Sequence, residues 1–151
     1  VWKEIPNAKV LLAGTNPKPS IKKLASPNVT ISGWVEDISE CYAQSHIFVA
    51  PMQIGSGLQN KLLEAMAMKT PCITSPLANN ALHAKENEEI LIGRSASEFA
   101  HHIITLLHNG KLREDLSEKG YLFVKENYSW EKHGDQLEEI LRNASTQQIK
   151  E

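Results

Sequence analysis

The chain has 151 residues, 41% hydrophobic and 23% charged, with 8 glycines and 7 prolines, the size and composition of one globular domain with a two-sided core rather than a disordered or fibrous chain. A net charge of -2 argues against a general nucleic-acid surface, and no apolar run approaches the ~18 residues of a membrane-spanning helix. Cys41 and Cys72 form no CxxC pair and read as reduced thiols of a cytosolic protein.

The opening Val1-Trp2-Lys3-Glu4 has neither a hydrophobic leader nor a starting Met, so the chain is expected to be a piece of something longer. Five short apolar runs follow, each bounded by Gly, Pro, Asn or a similar breaker. They are Lys9 to Gly14, Val29 to Trp34, Ile47 to Pro51, Pro71 to Ser75 and Glu89 to Gly93. Such runs are strands covered on both faces. Helices are expected between them at about Ser20 to Ala25, Ile38 to Ser45 and Gly57 to Lys69.

The last third reads as helical. Ser95-Ala96-Ser97-Glu98 is a capping-box pattern ahead of apolar Phe99, Ile103, Leu106 and Leu107. Asn109-Gly110 stops that helix, and Lys111 to Glu126 and Ser129 to Arg142 form two more, with Ser129 as N-cap. Residues 1–143 make the domain and the polar 144–151 a frayed tail. Alternating strands and helices predict an α/β, Rossmann-like three-layer domain with a mostly parallel sheet. Ligands of such sheets bind beyond the strands' carboxyl ends, at the loops Gly14 to Ser20, Gly33 to Asp37, Met52 to Gly57 and Pro76 to Leu82.

The stretch Gly55-Ser56-Gly57-Leu58-Gln59-Asn60-Lys61-Leu62-Leu63-Glu64 is the most informative. A strand feeds a glycine turn, and the turn feeds a helix. Gly55 and Gly57 let a ligand approach the backbone closely. The helix's first N–H groups lack internal partners and add about half a positive charge, so the turn makes a cradle for a diphosphate without a metal. Lys61 can add a full charge. Leu62, Leu63, Met66 and Ala67 have core spacing, while Asn60 and Glu64 share another face. Glu64 can take both hydroxyls of a ribose; alternatively it pairs with Lys61 or caps a loop. The spacing is neither a dinucleotide fingerprint, since Asn60 stands where the third glycine should, nor a P-loop.

Gly57 to Met68 with Pro71-Cys72-Ile73-Thr74-Ser75 resembles the donor-binding segment of group 1 glycosyltransferases, retaining enzymes of the GT-B fold. Gly33-Trp34-Val35-Glu36-Asp37, Tyr42 and Ile47 to Pro51 fit the preceding segment, and Tyr128-Ser129-Trp130 the start of the closing helix. The match spans about Pro6 to Leu141 and is nearest to the transferases of exopolysaccharide and other surface-glycan pathways. The resemblance implies that Glu64 binds the donor ribose. It implies that Gly55, Ser56, Gly57, Leu58, Gln59, Asn60 and Lys61 meet the diphosphate and sugar. The loop from Gly33 through Trp34 and Val35 would pack on the base, and Gly14 would end the strand beside the donor. The substrate is then a UDP- or GDP-sugar, with no cofactor and no metal.

Two departures from the family stand out. A second glutamate that most members carry eight positions before the first is Ser56 here, which leaves the sugar unreadable. The family's opening strand and helix, with a basic pair, and its N-terminal acceptor domain are absent. No catalytic residue is therefore assigned, and the piece alone is expected to be inactive. The lost strand would lie between those at Lys9 and Ile47, so the sheet must close directly or borrow a strand, for instance in a dimer. Membrane association would be peripheral and come from the missing half. A non-catalytic nucleotide-binding or interaction module, or half of a sugar-nucleotide epimerase, is the alternative.

Other residues read more plainly. His101, His102 and His108 are surface histidines on an amphipathic helix, while His83 borders the donor loop. Trp34 is expected to pack near the base pocket, Trp2 and Trp130 to pack at the two ends, and Met66 and Met68 to fill the core.

Overall fold

A computed structural model describes residues 1–55 and 57–147, except the side chains at 131, 133, 135, 136 and 144–147. Five strands alternate with helices and then give way to helices alone. The order is β1 (Val10–Ala13), α1 (Pro19–Lys22), β2 (Val29–Gly33), α2 (Ile38–Ala43), β3 (Phe48–Ala50), α3 (Asn60–Ala67), β4 (Cys72–Thr74), α4 (Pro76–Leu82), β5 (Leu91–Ile92), α5 (Ala96–His108), α6 (Gly110–Asn127) and α7 (Trp130–Gln147). All five strands fall inside the expected apolar runs.

Every pairing between named strands is parallel: β1 with β2, β3 with β4, and β4 with β5. Alternation along β4 splits the interior into two cores. Cys72 lies with Leu62, Met66, Leu82, Ile90, Ile92 and Val124. Ile73 lies with Leu91, Leu106 and Leu116. Successive strand residues point to opposite faces, so helices cover this part of the sheet on both sides, giving the expected three layers. Each fully buried Leu or Ile contributes about 1.5–3 kcal/mol.

The sheet is not continuous. β1 and β2 form one ribbon, β3, β4 and β5 another, and β1 does not pair with β3. Among the described residues, no strand pairs with both β1 and β3. The central β4 is wholly buried, with Cys72, Ile73 and Thr74 each at 0% exposure, whereas Leu11 of β1 is 40% exposed. Helix α2 spans the division, touching both β1 and α3.

Several boundaries differ from the sequence reading. The segment Pro76 to Leu82, expected as a loop, is helix α4. Ser75 Oγ accepts from Ala78 N–H at its start, Pro76 suits a first helical position, and Ala78 and Leu82 are buried. Helix α7 runs to Gln147, so the tail expected from 144 is helical that far; residues 148–151 lie outside the described part. On α3 the buried set is Leu62, Ala65 and Met66, and Ala67 is exposed. Its expected place is taken by Ala65, which shares a face with Leu62 three residues earlier.

Candidate functional site

The cradle starts where β3 ends. Met52 N–H donates to the Ala50 carbonyl at 2.8 Å, turning the chain out of the strand. Gly55 follows with φ +116°, backbone that a side chain would strain. Ser56 lies outside the described residues. Gly57, Leu58 and Gln59 continue the loop, and α3 begins at Asn60, three residues later than expected. The delay has a physical reason: Gln59 holds extended N-cap backbone, and its Nε2 donates back to the Gly57 carbonyl at 2.8 Å.

That bond has a second effect. Helices α2, α4, α5 and α6 have their first amides capped by the side chains of Asp37, Ser75, Ser95 and Asn109. Gln59 gives α3 no side-chain cap. Leu62 N–H donates to the Gln59 carbonyl at 2.8 Å, while the amides ahead of it meet no side-chain cap and carry the dipole's partial positive charge. Lys61 stands at the second helical position. Its Nζ lies 3.7 Å from Met52 Sδ, and no described carboxylate pairs with it. Glycine backbone, open amides and an uncompensated ammonium are thus contiguous.

Glu64 lies one turn further along. It is exposed and bonds to neither of the partners first considered. Its Oε2 instead accepts a hydrogen bond from the hydroxyl of Tyr42 on α2 at 3.0 Å. Tyr42 is 6% exposed, and burial, then Glu64, pushes its phenol pKa well above the ordinary value. The sequence reading named Tyr42 only within a resembling segment and gave it no role. The available signal was a tyrosine on the apolar side of a short helix, whose buried hydroxyl needs a partner.

The other candidates lie at the ends of β1 and β2. Gly14 N–H donates to the Gly33 carbonyl at 2.9 Å, so these two glycines sit side by side. Gly33 has φ +71°, a left-handed turn that delivers Trp34 to the surface. Trp34 is 69% exposed, which corrects the expectation that it packs: past a turn at the strand end, no described element covers it. Trp130 is likewise 90% exposed and Met68 41% exposed; the first opens α7, and the second lies beyond α3's buried face. Trp2 is also exposed, its indole N–H bonding the Ala8 carbonyl. Val35 lines a cavity of about 320 Å³ with Glu36, Asp37 and Cys41.

A larger cavity, about 530 Å³, lies at the ends of β3, β4 and β5, lined by Met52, Gln53, Ser75, Arg94 and Phe99 among others. It adjoins the cradle loop through Met52 and Gln53, but Glu64 does not line it. His83 caps α4 with φ +60° and is exposed. The expectation of surface histidines is corrected at His102, which is half-buried with its Nε2 3.1 Å from the Ile92 carbonyl. Among the described residues, no His, Cys, Asp and Glu group is arranged to hold a metal, and no helix is long and apolar enough to cross a membrane.

A family model described as "Glycosyl transferases group 1" matches residues 1–109. A Klebsiella pneumoniae 44.6 kDa protein in the cps region is 28% identical over 142 residues, covering 87% of this chain and 36% of its own length. The Methanocaldococcus jannaschii glycosyltransferase MJ1069 is 31% identical over 98 residues, covering 64% and 25%. The Anabaena protein Alr3699/HepE, solved in complex with UDP, shares the fold with a TM-score of 0.80 at 14% identity, covering 91% of this chain and 42% of that one. The chain thus spans about a quarter to two-fifths of the length of these proteins. With the family match covering more than two-thirds of its residues, and with their fold, the chain belongs to the group 1 glycosyltransferases.

Proposed function

We propose that this domain binds the nucleotide-sugar donor of a retaining glycosyltransferase, which passes the sugar to a glycan, lipid or other acceptor. The observation that carries the reading is the α3 N-terminus: amides without a side-chain cap, next to a Lys61 that meets Met52 Sδ but no described carboxylate, and one turn before an exposed Glu64. The diphosphate rests on the backbone from Gly57 to Lys61, where partial and full positive charge add without a metal. Glu64 takes the ribose hydroxyls, and Gly33, Trp34 and Val35 meet the base beside Gly14. Gly55 and Ser56 meet the sugar. The ligand is a nucleoside diphosphate, uridine or guanosine, and the UDP complex of the Anabaena protein of like fold supports the uridine form.

The acceptor-binding half belongs to polypeptide beyond these residues, in keeping with the lengths of the relatives, and the domain alone transfers no sugar. The whole enzyme works in the cytoplasm, at the membrane surface through that other half. The same polypeptide, or a second copy, supplies a strand between β1 and β3.

Titration of UDP, GDP and their sugars by calorimetry tests the reading. One nucleotide should bind, and Glu64→Ala should weaken it about tenfold to a hundredfold, the worth of about 1.5–3 kcal/mol for hydrogen bonds to a charged group. Binding that survives Glu64→Ala unchanged would remove Glu64 from the site. No binding at all would favour a non-catalytic interaction module.

A further inference from the structure

We propose that Tyr42 is a positioning residue for Glu64, committing one carboxylate oxygen so that the other faces the ligand's hydroxyl pair. The inference rests on the reading of Glu64 as the ribose-binding group. It starts from an imbalance between the two partners. Glu64 stands exposed on α3, where a glutamate has three side-chain torsions and few constraints. Tyr42 is buried in the core shared by Leu62, Met66 and Cys72, and only its hydroxyl reaches the carboxylate, at 3.0 Å from Oε2.

The tyrosine is held from two other directions. The Phe48 ring meets its ring edge-on at 5.4 Å between centroids. Its main-chain carbonyl accepts the buried Thr70 hydroxyl at 3.0 Å. Thr70 follows the turn that ends α3, since its N–H donates to the Ala65 carbonyl at 2.8 Å. The donor to Glu64 is therefore fixed relative to the helix that carries Glu64.

A carboxylate offers about four acceptor positions. The Tyr42 hydroxyl fills one on Oε2 and selects the rotamers in which Oε1 is turned away from the core. A cis-diol needs two acceptors at set positions, so a carboxylate already oriented loses less freedom on binding than a mobile one. The tyrosine thus acts on discrimination for the diol, not on affinity for phosphate.

The test compares UDP with 2′-deoxy-UDP by calorimetry on the 151-residue chain and two variants. The unmodified chain should prefer UDP. Tyr42→Phe should weaken UDP about three- to tenfold, a hydrogen bond's worth, while leaving 2′-deoxy-UDP nearly unchanged, so the preference collapses. The partner left behind, Glu64, is exposed and hydrated, so this variant should melt close to the unmodified chain. A purely structural role would instead lower the melting temperature and weaken both nucleotides alike.

A preference kept by Tyr42→Phe but lost by Glu64→Ala overturns the positioning role and leaves the ribose reading standing. A preference kept by Glu64→Ala, or no nucleotide binding by the unmodified chain, overturns both. Nuclear magnetic resonance of ring-labelled tyrosine gives a readout independent of Tyr42→Phe folding. The Tyr42 signal should shift in Glu64→Ala and stay nearly constant when UDP is added. A UDP-induced shift matching that of Glu64→Ala would mean that the bond breaks on binding, and the proposal falls.

Discussion

Arg94 grips Glu86 through both terminal guanidinium nitrogens, each bond 2.8 Å, and its backbone N–H donates to Glu98 Oε2 at 2.9 Å. One arginine thus ties the turn before β5 to the start of α5. The bond to Arg94 holds the Glu86 carboxyl below its ordinary value of 4.5. A carboxyl whose pKa is lower folded than unfolded stabilises the fold above its unfolded pKa, and that contribution fades as pH falls through its folded pKa. The melting temperature of the unmodified chain should therefore exceed that of Glu86→Gln by a small, constant margin near neutral pH, small because exposed ion pairs are weak. The margin should shrink below about pH 4.5, as a series of melts at falling pH would record. An unchanged margin in acid would mean that the pair does not act through charge. Residues whose surroundings are set locally were legible in this way: the Ser95–Glu98 cap and the Gly55 turn follow from neighbours in sequence. Trp34, Trp130 and Met68 were not, because whether an aromatic or apolar side chain is covered depends on which element lies over it. The Tyr42 to Glu64 bond crosses 22 positions and was hidden for the same reason.

At the scale of elements, the strands and the capped start of α5 were legible because each announces itself by composition. Short apolar runs gave all five strands, and Ser95 caps α5 by accepting from Glu98 N–H as its capping-box pattern implied, whereas Asn109, read only as the stop of α5, also caps α6 by accepting from Leu112 N–H. Helix α3 was placed too early because glycines were read as its start, whereas Gln59 still holds extended backbone. Helix α4 was read as loop because two asparagines and a proline outweighed its apolar Leu77, Ala78 and Leu82. The junction from β5 to α5 shows how tightly elements meet. A Cβ on Gly93 would come within 2.5, 2.7 and 2.8 Å of three Phe99 ring atoms. Phe99 is packed against the core of Ile73 and Leu106, so its ring has little room to retreat. Gly93→Ala should cost about 1–3 kcal/mol, the range for overpacking, measured by urea denaturation. A Gly57→Ala variant, with nothing within 4 Å of the added carbon, should stay within about 0.5 kcal/mol. Equal stabilities for the two variants would mean that Phe99 moves freely.

The whole molecule is defined by the opening between its two ribbons. Val10 N–H bonds the Asn28 carbonyl and Gly14 N–H the Gly33 carbonyl, so these residues turn their backbone towards β2. By alternation, Leu11 and Ala13 turn theirs to the other edge. On the far side, Phe48 N–H bonds the Pro71 carbonyl, which leaves Ile47 and Val49 facing away from β4. Leu11 and Ala13 thus lie on the edge of β1 away from β2, Ile47 and Val49 on the edge of β3 away from β4, and unpaired edges of this kind invite another strand. Hydrogen exchange on the isolated chain should show the Leu11, Ala13 and Val49 amides exchanging at least about a hundredfold faster than those of Cys72 and Ile73, since edge groups open locally while central ones need global unfolding. Added polypeptide that supplies a parallel strand should slow all three together. If a second copy fills the opening instead, protection should rise with protein concentration. Strong protection of Leu11 and Ala13 in the dilute chain would mean that β1 and β3 meet directly in solution and that no added strand is required.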